Sequence, residues 1–87
     1  MPDILTYEGY LQEICEILRE RATEARRDED MLKKKKGAES SEYIFQSGRA
    51  LAYYEVISTI RNQAMAMGIP LEILGLDKFD PDKELLN

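Results

Sequence analysis

The chain has 87 residues and a mass of 10.0 kDa, which allows one small domain. Seventeen acids against twelve bases give a net charge of −5, so it lacks the basic footprint of a general nucleic-acid binder. Histidine is absent and cysteine occurs once, which excludes a histidine base, an internal disulfide and a thiolate zinc cluster. No stretch approaches the length of a membrane span, and the N-terminus does not read as a signal peptide. A cytoplasmic location without membrane attachment is therefore expected.

The first predicted helix covers residues 4–36. Ile4, Leu11, Leu18, Ala25 and Leu32 recur every seven residues, Tyr7 and Ile14 fill intervening heptad positions, and Cys15 and Ala22 widen the stripe. Asp3 or Thr6 can cap its start; with Thr6 as cap, Leu5 and Tyr10 would form a hydrophobic staple. Past Ala25 the stripe weakens, because Arg21 and Asp28 hold heptad positions, and the far end is expected to be solvated or frayed. Glu29 and Asp30 precede Lys33 and Lys34 by four residues, the favourable order for helix ion pairs.

The segment KKKKGAESS at residues 33–41 breaks the pattern. Lysines complement the free carbonyls of a helix C-terminus, Gly37 can end the helix, and Ser40 or Ser41 can cap the next. So short a connection makes the two helices antiparallel neighbours.

The second helix is expected over residues 41–67, of nearly equal length, with Gly68 as terminator and Pro70 beyond. Its second half carries one apolar stripe, Tyr53, Val56, Ile57, Ile60, Ala64 and Met67. Its first half carries another, Ile44, Phe45, Gly48, Leu51 and Ala52. At about 100° per residue the two stripes are centred well over 90° apart. A helix apolar on two sides needs two covers. The second cover must be the C-terminal tail or another copy of the chain, and Gly48 and Ala52 would admit a close backbone approach. Met65 and Met67 are read as core beneath the tail.

The tail, residues 69–87, begins with IPLEILGL, where Pro70 can open a helical turn and Gly75 end it. A second short turn is expected after Asp80-Pro81. The segment reads as a hydrophobic clip over the end of the hairpin followed by a mobile acidic terminus.

The remaining motifs favour structural roles. Lys33, Lys34, Lys35 and Lys36 form the one basic cluster, and a solvated helix end accounts for it. Glu13, Glu16, Glu20 and Glu24 lie opposite the Leu11–Leu18 stripe, whereas di-metal bundles point their carboxylates inward. Cys15 sits on the apolar stripe with no histidine to activate it, so a packed thiol is expected. Five tyrosines and no tryptophan leave tyrosine as the main aromatic, suited equally to an interface or to packing. Arg49 and Arg61 can pair with Glu42 or Glu55, or with the carboxylates of a partner.

The expected architecture is all-α: residues 1–68 as a long antiparallel helical hairpin, and 69–87 as a short helical clip and acidic tail, with two copies forming a four-helix bundle. The second helices would cross at the candidate dimer interface Ile44, Phe45, Gly48, Leu51 and Ala52. No catalytic, cofactor-binding or metal-ligating residue is assigned, and no cofactor is expected. The leading functional expectation is a small non-catalytic interaction or regulatory protein, homodimeric, meeting a protein partner through the tail or the tyrosine-bearing helix. The first alternative is a nucleic-acid-associated regulator using the Lys33–Lys36 cluster. The second is a metal-dependent nucleotide enzyme using the helix-borne glutamates.

Overall fold

A computed structural model describes residues 1–86; Asn87, the last position of the expected tail, lies outside the described residues. Helix α1 spans Ile4–Lys36 and α2 spans Ser41–Ala66, packed antiparallel. A 3₁₀ turn at Leu71–Leu74 and a π turn at Asp82–Leu86 complete the chain, and the described residues include no strand.

Local chemistry sets each boundary. Asp3 caps α1, its Oδ1 accepting from the Thr6 N–H at 3.0 Å, so the Thr6-based staple does not form. Ser40 caps α2 by accepting from the Tyr43 N–H at 3.2 Å. The α2 terminus closes as a Schellman motif: the Ile69 N–H reaches Ala64 O at 2.8 Å and the Gly68 N–H reaches Met65 O at 3.2 Å. The motif requires a positive φ at Gly68, which is +74°. The same closure recurs one turn later, with Leu76 N–H on Leu71 O, Gly75 N–H on Glu72 O and Gly75 at φ +69°. These two reversals bring the tail back onto the hairpin.

The core follows from which side chains these turns bring together. Ile57, 1% exposed, shares one buried cluster with Ala22 and Cys15 of α1 and with Ala64 toward the open end of α2. Leu74, Leu76, Phe79 and Leu85 of the tail join the same cluster. The tail is thus a third layer along one side of the hairpin. A mobile terminus was expected beyond the clip; instead Phe79 and Leu85 are 5% and 2% exposed, because the turn after Asp80-Pro81 aims Leu85 back toward the loop half. Arg19 donates to Gly75 O at 3.0 Å, and the Tyr54 hydroxyl donates to Asp82 Oδ1 at 2.7 Å.

The start of α1 is exposed as well as its far end. With 33 residues against 26, α1 outruns α2 by about 10 Å, or two turns. Ile4, Tyr7 and Leu11 continue the apolar stripe past the end of α2 and stay exposed. The far end, expected to be solvated or frayed, is solvated but not frayed: Lys33–Lys36 are exposed, the helix runs to Lys36, and polar contacts hold it. Arg26 pairs with Glu29 at 2.7 Å and reaches Asp30 at 3.7 Å, displacing the expected pairs with Lys33 and Lys34. Met65 and Met67 are also exposed rather than core, because the chain turns away at Gly68 before it could cover them.

Two expected outcomes concern single groups. Burial pushes the Cys15 thiol above its ordinary range, so it should react with a disulfide reagent only when the chain unfolds. A native-state rate matching that of the unfolded chain would contradict this packing. The bond to Asp82, with partial burial and the carboxylate charge, holds Tyr54 above the usual tyrosine range. Its contribution is therefore complete below pH about 10 and lost as pH rises through the higher folded value. Protection of the amides in residues 82–86, taken relative to the base-catalysed rate of an unstructured peptide, should fall across that alkaline window, and Tyr54→Phe should remove that fall.

Candidate association surface

The loop half of the hairpin is built inside out. There α2 faces α1 with Tyr43, Gln46, Ser47 and Ala50, a mostly polar or small set. The contacts across it are polar as well: Arg49 reaches across to Asp28 at 3.8 Å, takes Gln46 Oε1 at 3.2 Å and lies 5.7 Å from the Tyr53 ring centre. Neither Glu42 nor Glu55 is the partner of Arg49 in these contacts. Glu29, 8% exposed, is the one buried charged side chain among the described residues.

The apolar side chains of this half point the other way. Ile44, Phe45 and Leu51 are 59%, 68% and 49% exposed, and Ala52 is exposed beside them. Val56 falls on the edge of this outer stripe at 43% exposure, not in the core stripe with Ile57 where the periodicity placed it. Gly48 sits mid-stripe, and a Cβ there would meet nothing within 4 Å. Among the described residues, the tail occupies another flank, against Tyr54, Ser58 and Arg61, and Leu85 and Leu86 reach the Leu51 edge of the stripe, leaving Ile44 and Phe45 exposed. Of the two covers allowed for this face, the tail is therefore not the one. A shallow depression lined by Leu32, Ser41, Glu42, Phe45 and Gln46 continues the stripe onto the loop end.

The other sequence candidates are placed separately. Lys33, Lys34, Lys35 and Lys36 are all exposed on the last turn of α1, and Lys36 pairs with Glu42 at 3.3 Å. That lysine, with Ser41, holds the Glu42 carboxyl below its ordinary range. Glu13, Glu16, Glu20 and Glu24 are exposed, and the described residues contain no group of three or more His, Cys, Asp or Glu able to hold a metal ion. Among the described residues, no helix is long and apolar enough to cross a membrane.

Sequence reasoning located the outer stripe but missed the second uncovered surface, the first turns of α1. The signal was the unequal length of the two helices, readable from the positions of Asp3, Gly37 and Gly68. Compared with known proteins, the chain matches no family model, no curated protein and no solved structure.

Proposed function

We propose that the protein is a non-catalytic helical association module, self-associating through the outer face of α2 and serving an interaction or regulatory role as a homodimer. The observation that carries this reading is the inverted patterning of the loop half, polar toward α1 and apolar toward solvent. Burying polar groups inside while exposing Ile44, Phe45 and Leu51 is unfavourable for a chain that stands alone.

Surface area supports it. The chain exposes 6228 Å², whereas a compact monomer of 10.0 kDa would expose about 5,200 Å². The excess of about 1,000 Å² compares with the about 800 Å² that each partner contributes to a standard interface.

Paired variants test the surface. Gly48→Leu has room in the single chain and removes a mid-helix glycine, so the hairpin should keep or gain stability. In the dimer the added side chain would fall where backbones approach, and sedimentation should show loss of association. Glu24→Gln, on the exposed face of α1, should leave association intact. Equal tolerance of both changes would refute this interface.

A further inference from the structure

Building on that reading of α2, we infer that the two copies meet antiparallel, with the basic loop end of each hairpin alongside the acidic open end of the other. Charge is divided unevenly along the 49 Å axis of the chain. Residues 26–49, which form the loop end, carry seven bases and five acids, net +2. Residues 1–20 and 62–78, at the open end, carry two bases and seven acids, net −5. The tail from residue 79 runs back along the hairpin: Asp80 and Asp82 lie at its middle beside Tyr54, Ser58 and Arg61, and Leu85 and Leu86 reach Arg26, Glu29 and Ser47 at the loop pole, where Lys83 and Glu84 add no net charge.

At physiological ionic strength charges are screened beyond about 8 Å, so each pole responds to what lies beside it and not to the opposite end. A parallel pair places −5 beside −5 and +2 beside +2, like charge at both ends. An antiparallel pair places +2 beside −5 at both ends. Juxtaposed like charges disfavour one orientation and complementary ones select the other. A two-fold axis perpendicular to α2 through the Gly48–Ala52 region produces the antiparallel arrangement and closes it at two chains. The stripe lies in the first half of α2, so the open end of each chain then extends past the partner's loop. The exposed side chains of Lys33, Lys34 and Lys35 project from the basic pole, on the last turn of α1.

Reversing two of those lysines separates the orientations. Lys34→Glu with Lys35→Glu changes the loop pole from net +2 to net −2. In the antiparallel dimer both end-to-end attractions become repulsions, and the dissociation constant at low salt should rise by about tenfold, with the difference shrinking at high salt. In a parallel dimer the loop poles repel equally before and after, and an unchanged constant would overturn the inference.

Spin labels give a readout independent of the charge change. Labels are placed at Ala38→Cys in one copy and Gly9→Cys in the other, with the buried Cys15 left in place. With the crossing near Ala50, the helical rise puts these labels about 25 Å apart if the chains are antiparallel and about 50 Å apart if they are parallel. The longer distance in an intact dimer would overturn the orientation alone. A chain that stays monomeric would overturn the association reading beneath it.

Discussion

Ile57→Ala is expected to lower the unfolding free energy by about 2–5 kcal/mol, read as a fall in the urea midpoint with the slope retained. Ile57 is 1% exposed and is the large side chain on the line where α2 meets Ala22 and Cys15 of α1. Its cluster is close-packed, with Ala22, Ala64, Leu74, Leu76 and Phe79 among its members, so truncation leaves a cavity that the neighbours fill only in part. Small domains have a total stability of only about 5–15 kcal/mol, so the variant should be partly unfolded at room temperature or close to it. Val56→Ala, one residue away on the outer face, should cost far less in the single chain, because Val56 is 43% exposed. Equal losses at the two positions would mean that the buried side of α2 is misassigned.

Phe79→Ala is expected to cost about 3–5 kcal/mol and to loosen both helices together. Phe79 is 5% exposed in the same cluster as Ile57, Leu74, Leu76 and Leu85. A terminus that merely trailed from the bundle would lose almost nothing on this change. If the tail is a structural layer, amide exchange should accelerate in the middle of α1 and α2 as well as in residues 76–86. Faster exchange confined to the tail would show that the hairpin stands without it.

Much of the fold was readable because its boundaries rest on local chemistry. Asp3, Ser40, Gly68 and Gly75 are short-range signals, each acting on its own turn, and the structure uses them as caps and terminators. The change of apolar side within α2 was equally legible, since helical periodicity alone separates Ile44, Gly48 and Leu51 from Ile57 and Ala64. What periodicity cannot give is the partner of each stripe. Ile4, Tyr7 and Leu11 share the azimuth of Cys15 and Ala22, yet they are exposed because α2 has already ended. Met65 and Met67 lie beside buried residues but were left outside by the turn at Gly68. The course of the tail depends on Arg19 reaching Gly75 and Tyr54 reaching Asp82, contacts spanning 56 and 28 residues that no local pattern announces.

The central claim is that the outer face of α2 is covered by a second copy of the chain. Solution mass by light scattering across a concentration series on a size-exclusion column tests it most directly. A mass near twice 10.0 kDa, falling toward that of the single chain on dilution, is the expected result. A mass that stays at 10.0 kDa up to the highest concentration would contradict it, leaving Ile44, Phe45 and Leu51 exposed with no copy to cover them.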